Sequence, residues 1–302
     1  MQLRIASRRS PLALAQSELV AKTLRERFPE LETAFVEVET EGDRMLSAPL
    51  AEIGGKGVFT LEIEQMLRRG EADVAVHSLK DLPTVAPPGL RIGAVLPRED
   101  PRDVLVTRDG TQLRDLPHGA RIGTSSPRRQ AQLRMWRPDL QVDSVRGNVG
   151  TRLRKLTDGV VDGLVMAAAG LLRAGYGARI AEYLEPQDML PAPAQGVIAV
   201  QARSARKDVL DVLRAISDRH ALRAARAERA LLSALGSGCA VPIGALAEVR
   251  GREVRLVAGV FAPDGSLALR TEAAGTRSEE VGREAARTLR RMGAQHLLGE
   301  LP

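Results

Sequence analysis

Arginine and serine residues cluster at three predicted helix starts, a pattern that favours binding of an anion. Gly123-Thr-Ser-Ser-Pro-Arg-Arg129 combines a strand end, serines that can cap a helix, a proline suited to the first turn and two guanidiniums. Arg146-Gly-Asn-Val-Gly-Thr-Arg152 repeats the arrangement, and Ser7-Arg8-Arg9-Ser10-Pro11 opens the first predicted helix in the same style. Helix N-termini offer unpaired N–H groups, and arginine pairs well with carboxylates. The first segment alone fits a solvated basic turn equally well, but three together predict an anion site.

A second group of polar residues lies in His77-Ser-Leu-Lys-Asp-Leu-Pro83, just beyond the end of a predicted strand. It brings together a hydroxyl (Ser78), a cation (Lys80) and a carboxylate (Asp81). Open α/β sheets place ligand contacts at such strand ends. Taken alone, however, the motif favours an ordinary Lys–Asp surface turn.

The glycine-rich segment Gly54-Gly-Lys-Gly57 precedes a predicted helix and superficially resembles a phosphate-binding loop. It lacks the Gly-x-x-x-x-Gly-Lys-Ser/Thr spacing, because Val58 follows Gly57. Since glycines ease loop rearrangement, the segment is predicted to form a mobile lid that carries Lys56.

The single cysteine, Cys239, lies in Gly236-Ser-Gly-Cys-Ala-Val-Pro242 after a predicted helix. A lone cysteine is usually a small buried hydrophobe, but the flanking glycines favour an accessible loop position. The sequence contains neither a Cys/His cluster nor a Cys-x-x-Cys motif, so no metal site is predicted. Sequence places none of the four histidines beside the thiol for papain-like catalysis.

Composition indicates a globular protein of two or three domains. The 302 residues are 44% hydrophobic and 27% charged, with a net charge of +6. Aromatic residues make up only 2%, which leaves few stacking platforms and argues against an RNA-binding protein. The charged N-terminus does not fit a signal peptide, and the longest apolar run, Gly163–Leu172, is too short to span a bilayer. With no disulfide possible within the chain, we expect a cytoplasmic protein with no membrane partner.

Short β-branched runs alternate with amphipathic stretches through the first 200 residues, which predicts α/β domains with largely parallel sheets. After residue 218, a helix (His220–Leu235), three strand-like runs and a closing helix (Ser278–Leu298) predict a small α+β domain. The strands predicted in the first part are Leu3–Ala6, Ala34–Val38, Asp73–Val76, Arg91–Val95, Asp103–Thr107, Ala120–Gly123, Val161–Ala167 and Val197–Gln201.

Two proline-bearing joins, Pro97–Pro101 and Pro186–Gly196, bracket a segment long enough to fold alone. We therefore predict a discontinuous α/β domain 1 (1–98 and 196–216), an inserted α/β domain 2 (99–195) and an α+β domain 3 (217–302). An inserted domain on two crossovers is a hinge architecture, which predicts a ligand cleft between the lobes.

Nine segments closely resemble the porphobilinogen deaminase (hydroxymethylbilane synthase) family over essentially the whole chain. These segments are SRRSPLALAQ, GGKGVF, DVAVHSLKDLP, REDPRD, GTSSPRRQ, RGNVGTRL, LPAPAQG, AERA and GSGCAVPIGA. The resemblance implies two α/β lobes like those of type II periplasmic binding proteins. It also implies a small C-terminal α+β domain that carries the cofactor cysteine.

The resemblance implies a transferase that joins four porphobilinogen molecules head to tail, with loss of ammonia, into the linear tetrapyrrole hydroxymethylbilane. It implies a dipyrromethane cofactor attached to Cys239 through a thioether. Asp81 is then the catalytic carboxylate, which stabilises positive charge as ammonia leaves and a methylene-pyrrolenine forms. The resemblance further implies a monomer whose product passes to uroporphyrinogen-III synthase, with no nucleic-acid partner.

The resemblance also explains the many basic residues, because every added ring brings an acetate and a propionate. It assigns cofactor binding to Cys239, Ser78, Lys80, Asp81, Ser126, Arg128, Arg129, Arg146, Gly147 and Arg152, and substrate binding to Arg8, Lys56, Arg146 and Arg173. Two positions depart from the family pattern. Pro127 stands where leucine is frequent, and Ala194 replaces a frequent glycine, which leaves the flexibility of the second join open.

The chief alternative is a two-lobed protein that binds a small anion without catalysis. Such a protein is expected to carry a signal peptide or a DNA-binding helix-turn-helix extension, and the sequence contains neither pattern. The resemblance therefore favours the enzyme.

Overall fold

The structure is a computed structural model that describes residues 1–40, 60–236 and 241–299. The chain forms two compact units, one of Met1–Arg98 with Val197–Leu222 and one of Glu99–Gly196 with Arg223–Pro302. The division into three domains stays a prediction. No helix within the described ranges is long and apolar enough to cross a membrane.

The secondary structure mixes strands and helices up to Arg203 and then changes to helices followed by a hairpin-linked sheet. The strands are β1 (Gln2–Arg8), β2 (Glu32–Val38), β3 (Val74–Ser78), β4 (Leu90–Val95), β5 (Asp103–Thr107), β6 (Arg121–Gly123), β7 (Gln141–Asp143), β8 (Gly163–Ala167), β9 (Glu182–Leu184), β10 (Ile198–Arg203), β11 (Ile243–Arg250), β12 (Glu253–Phe261) and β13 (Ala268–Gly275). The helices are α1 (Pro11–Arg27), α2 (Leu61–Arg69), α3 (Pro127–Trp136), α4 (Val149–Thr157), α5 (Ala168–Arg173), α6 (Lys207–Ile216), α7 (Arg219–Leu235), α8 (Ser278–Arg291) and α9 (Ala294–Gly299).

The first unit contains a sheet of order β2-β1-β3-β10-β4 within the described residues. β1 pairs in parallel with β2 and β3, whereas β10 runs antiparallel between β3 and β4. Apolar residues of α1 and α6, including Leu24 and Leu213, pack on one face. Ile63 and Leu67 of α2 pack on the other face against Ala6 and Ala75. The sheet is therefore covered on both faces, as α/β folds require.

The second unit contains two described sheets, of order β7-β6-β8-β5-β9 and β11-β12-β13. β6 pairs in parallel with β7 and β8, β5 runs antiparallel to β8 and β9, and the smaller sheet is antiparallel throughout. Residues of α7 and α8, such as Leu231 and Leu289, bury one face of the smaller sheet. A mixed α/β sheet and a small α+β part thus follow one another, as the sequence predicts.

The prediction of largely parallel sheets is wrong for half of the strand pairings in the two larger sheets. β10 and β5 each run antiparallel to both of their neighbours. Helical crossovers return the chain to the same end of a sheet and give parallel neighbours. β5 and β10 follow the two joins, and no helix of the described residues lies between β4 and β5 or between β9 and β10.

Two short strands and one helix break also differ from expectation. β7 and β9 have three residues each, too few to show a hydrophobic period. The predicted closing helix is divided at Gly293, whose φ of 99° lies in the left-handed region and ends α8 before α9 begins.

Candidate functional site

In the second unit, the predicted anion-binding residues gather at one edge of the larger sheet. β6, β7 and β8 run parallel, and α3, α4 and α5 follow them in turn. Because the carboxyl ends of parallel strands lie at one edge, the starts of α3 and α4 are neighbours, and Ser125 Oγ donates to the Val145 carbonyl oxygen at 2.8 Å. Asp103 belongs to the same edge, since it pairs with Ala167 at the end of β8.

The start of α3 has an N-cap whose side chain leaves the first turn open. Ser126 takes the N-cap position with an extended backbone, and Pro127 takes the first turn as predicted. The Ser126 hydroxyl makes no capping hydrogen bond, whereas Ser10 and Asn148 cap α1 and α4 with side-chain oxygens. The first-turn N–H groups of α3 are therefore not satisfied by this side chain, which suits an anion.

The side chains of Arg128 and Arg129 are buried and pair with Asp103. Arg129 donates from Nε (3.0 Å) and Nη2 (2.7 Å) to Asp103 Oδ1, and Arg128 donates from Nη1 (2.7 Å) to Oδ2. Arg128 Nη1 also donates to the Leu190 carbonyl oxygen at 2.7 Å. Arg128 is 3% exposed, Arg129 6% and Asp103 0%. Both arginines thus have a structural partner, and their assignment to the cofactor stays a prediction.

The electrostatics of this cluster leave an excess of positive charge. Burial raises the pKa of the Asp103 carboxyl, but the Arg128 and Arg129 guanidiniums outweigh it and hold the pKa below its usual value. Burial lowers the pKa of Arg128, and Asp103 opposes that effect, so the guanidinium stays protonated. Arg128 Nε is buried and has no hydrogen-bond partner within the described part of the chain. A buried unpaired donor and a net positive charge both favour a bound anion.

The start of α4 depends on a glycine between two arginines. Gly147 has φ of 116°, and a Cβ there would lie 2.7 Å from Thr151 Cγ2. Its carbonyl oxygen accepts a hydrogen bond from Arg152 Nε at 2.8 Å, and Lys155 Nζ donates to the Arg146 carbonyl oxygen at 3.3 Å. Glycine is required for this turn, which places Arg146 before the helix and Arg152 in its first turns.

Arg173, the last residue of α5, is a partly buried arginine whose Nε donor is buried and unused. Its Nη2 donates to the Gly196 carbonyl oxygen at 2.7 Å, while its Nε is buried without a partner among the described residues. Burial lowers the pKa of Arg173, and the charge of Glu99 acts in the opposite direction. Arg173 therefore combines a contact to the second join with a donor suited to an anionic ligand.

In the first unit, Arg8 and the polar segment after β3 lie at one sheet edge. Arg8 ends β1 and Ser78 ends β3, and the two strands are parallel neighbours. The strand continues through Ser78, two residues beyond the predicted end. Gln16 Nε2 of α1 donates to Ser78 Oγ at 2.9 Å. The first helix and the strand ends together fix this part of the site.

Lys80 and Asp81 lie in a short 3-10 turn, Leu79–Asp81, directly after β3. Leu79 is buried, and its N–H donates to the Val197 carbonyl oxygen at 2.9 Å. Lys80 is partly buried, and Asp81 is exposed. The buried leucine anchors a turn that presents the Asp81 carboxylate to solvent or to a ligand.

His77 lies next to this turn and is fully buried in the sheet. Burial lowers the pKa of His77 to about 4, the Gln201 amide opposes the shift, and the charge of Arg8 adds to it. The imidazole is therefore neutral at pH 7 and is a packed residue of the sheet.

Two predicted site residues, Lys56 and Cys239, lie outside the described residues. Sequence reasoning gave no role to Asp103 or Gln195. Gln195 Nε2 donates to Asp103 Oδ1 and to the Pro101 carbonyl oxygen, each at 2.8 Å. Both residues lie inside recognised segments, REDPRD and LPAPAQG, which was the available signal.

Residues 3–211 match the family described as porphobilinogen deaminase, dipyromethane cofactor binding domain, and residues 222–291 match the porphobilinogen deaminase C-terminal domain. The chain belongs to the porphobilinogen deaminase family. Within this family, the protein of Desulfitobacterium hafniense is 48% identical over 299 residues, which cover 99% of this chain and 97% of that one. The protein of Syntrophomonas wolfei is 46% identical over 300 residues, covering 99% and 98%. The crystal structure of the periplasmic VFT2 domain of Bordetella pertussis BvgS is similar with a TM-score of 0.42 and 18% identity, covering 71% of this chain and 86% of that one.

Proposed function

We propose that the chain catalyses the stepwise condensation of four porphobilinogen molecules into hydroxymethylbilane, on a dipyrromethane primer attached to Cys239. The observation that carries the proposal is the buried cluster of Arg128, Asp103 and Arg129 inside the matched cofactor-binding domain. Its net positive charge and unpartnered Arg128 Nε suit a carboxylate. Acetate and propionate groups are ionised at neutral pH, so a pyrrole chain offers such ligands.

The residues present fit a group that carries several carboxylates. Arg128, Arg129, Arg146 and Arg152 lie at the starts of α3 and α4, and these four arginines would hold acetate and propionate groups of the cofactor. Ser126 would add its hydroxyl, which makes no capping hydrogen bond, and the open first turn of α3. Ser78, Lys80 and Asp81 would also bind the cofactor. The same arginine chemistry supports substrate-carboxylate binding by Arg8 and Arg173.

When bound, the dipyrromethane supplies the pyrrole carbon to which the first porphobilinogen is joined. Asp81 would accept a hydrogen bond from a pyrrole N–H and stabilise the positive charge that develops as the C–N bond to ammonia breaks. The anchored turn after β3 holds this carboxylate in place, and Lys80 would assist in binding a neighbouring carboxylate. Four such additions followed by hydrolysis would release the tetrapyrrole.

The first experiment is the intact mass of the protein purified under native conditions. The parent is expected to carry an adduct of two pyrrole rings, and Cys239→Ser is expected to fold without adduct and without bilane synthesis. A protein that binds a small anion without catalysis would show no adduct in either form. Normal bilane synthesis by Cys239→Ser would contradict the tether.

The second experiment replaces Asp81 with asparagine, which is nearly isosteric but cannot neutralise a cation. Asp81→Asn is expected to retain the adduct and lose several orders of magnitude in the rate of ring addition at saturating porphobilinogen. The chain offers a matched control in Asp115, which is exposed and ends a similar 3-10 turn, Leu113–Asp115. Asp115→Asn should turn over like the parent. An unchanged rate for Asp81→Asn would refute the assigned role.

The finer assignments belong to the same proposal. We propose that the protein is a hydroxymethylbilane synthase that is monomeric, acts in the cytoplasm and delivers its product to uroporphyrinogen-III synthase. The single cysteine supports a reducing compartment. Sedimentation at several protein concentrations tests the monomer, which should show one mass near 32.5 kDa.

A further inference from the structure

Two Arg–Asp–Arg clusters lie among the described residues, and the first is electrically balanced. Asp73 accepts hydrogen bonds from Arg4 Nε at 3.1 Å and Arg206 Nη1 at 3.0 Å. Arg206 also pairs with Asp208 at 2.7 Å, so two cations meet two carboxylates. The Arg4 and Arg206 side chains are 42% and 33% exposed. The second carboxylate balances the charges, and solvent exposure screens them, so no ligand is needed.

The second cluster, formed by Asp103, Arg128 and Arg129, is neither balanced in charge nor exposed to solvent. Asp103 is the one carboxylate paired with either guanidinium in the described part of the chain. All three side chains are at least nine-tenths buried, and Arg128 Nε lacks a partner there. An uncompensated charge of this kind is costly to bury. One bound carboxylate at Arg128 would both neutralise the cluster and satisfy the donor.

Gln195 completes the orientation of Asp103 and links it to both joins. Asp103 Oδ1 accepts from Arg129 and from Gln195 Nε2, while Oδ2 accepts from Arg128. Gln195 Nε2 also donates to the Pro101 carbonyl oxygen. Pro101 belongs to the first join and Gln195 to the second. The Asp103 carboxylate is therefore fixed from three sides. Arg128 is held through Nη1, and its Nε is left without a partner among the described residues.

We propose that Asp103 and Gln195 are positioning residues: they fix the arginine pair and leave it one positive charge, so that Arg128 receives a single cofactor carboxylate. This inference rests on the proposed function, since the carboxylate is taken to be that of the tethered dipyrromethane. Neither residue contacts the cofactor in this account. Both act through the guanidiniums.

The test compares cofactor-free and cofactor-bearing forms of each variant. Gln195→Met removes the amide at similar volume, and Asp103→Asn removes the charge at similar shape. Asp73→Asn is the matched control, because it alters the balanced cluster. Expression with and without a porphobilinogen supply yields the two forms, which intact mass identifies. The measured quantity is the rise in Tm that the cofactor confers, because a group held by the native state stabilises it.

In the parent and in Asp73→Asn, the cofactor should raise Tm by the same amount. In Gln195→Met and Asp103→Asn, the increase in Tm conferred by the cofactor should be at most half of that in the parent. The fraction of molecules that carry the adduct should be about tenfold lower. Should Asp103→Asn not fold, Gln195→Met alone decides. If the two residues have only a structural role, each variant should lose the same Tm in the cofactor-free and cofactor-bearing forms, and the increase conferred by the cofactor should be unchanged. That result would overturn the inference, while an adduct on the parent would still support the proposed function. A parent without adduct would overturn both.

Discussion

Replacing each arginine of the buried pair by leucine should affect the stability of the cofactor-free protein unequally. Arg129→Leu removes two hydrogen bonds to Asp103, from Nε and Nη2. Breaking a buried pair costs about 3–5 kcal/mol, but Arg128 still neutralises Asp103, so we expect a loss of about 3 kcal/mol. Arg128→Leu removes one hydrogen bond to Asp103 and one to Leu190. It also removes a buried unpaired donor, whose desolvation costs about 1–3 kcal/mol, so we expect a net loss near 1 kcal/mol.

The chain contains its own probe for this measurement, because its single tryptophan, Trp136, ends α3. Urea unfolding followed by Trp136 fluorescence reports the helix that carries both arginines. Arg121→Leu serves as the control, since Arg121 pairs with Asp143 on the surface of the same sheet and should contribute little. Cofactor retention should rank in the opposite order, with Arg128→Leu losing more of the adduct than Arg129→Leu.

Equal destabilisation of the cofactor-free protein by Arg128→Leu and Arg129→Leu would contradict this prediction. Such a result would mean that the unpaired Nε and the excess charge carry no cost in the absence of the cofactor. Equal adduct retention in the two variants would likewise remove the distinction between Arg129, which mainly holds Asp103, and Arg128, which keeps a donor for the cofactor.

Two further predictions concern stability. Burial lowers the pKa of His77 to about 4 in the folded protein. As the pH falls below about 6.5, His77 is therefore protonated in the unfolded chain before it is protonated in the folded protein. Stability from this group is complete above that pH and lost towards pH 4. Urea titrations by circular dichroism should show about 2 kcal/mol of such loss between pH 7 and 5 in the parent and a smaller loss in His77→Gln. In α8, a Cβ on Gly282 would lie 2.2 Å from the Ala227 carbonyl oxygen, so Gly282→Ala should lower stability by about 1–3 kcal/mol. A Cβ on Gly150 would meet nothing closer than 3.6 Å, so Gly150→Ala should not lower stability. Equal melting temperatures for the two variants would contradict the close packing at Gly282.

Local signals predicted the helix starts well. Ser10 and Pro11 open α1 with the interactions that their types favour, whereas Ser126 takes the N-cap position of α3 without a capping hydrogen bond. These features depend on residues adjacent in sequence, so a pattern can show them. Strand direction does not depend on adjacent residues. β10 has the same apolar pattern whether it enters the sheet parallel or antiparallel, and its direction is decided by the join that precedes it.

The departure at Ala194 became interpretable only through its backbone. Its φ of 62° lies in the left-handed region, where a Cβ costs about 1–2 kcal/mol, which explains a preference for glycine there. Its N–H donates to the buried carboxylate of Glu228, and Glu228 also accepts from the Ala247 N–H at 2.7 Å. The second join is thus tied to β11 despite the strain, and the substitution acts on conformation and not on chemistry.

Asp103 shows why the arginine partners were missed. As the first residue of an apolar strand, it looks in sequence like an ordinary boundary residue. Arg128 lies 25 residues away, and Gln195 lies 92 residues away. Only the fold brings them together, because β5 runs antiparallel to β8 and so starts at the edge where the parallel strands end. The same reversal that contradicted the parallel prediction therefore supplies the carboxylate that holds the arginine pair. The sequence identified the cations by their residue type. Which of their N–H groups pair with Asp103 and which stay unpaired depends on the direction of β5, and the sequence did not specify that direction.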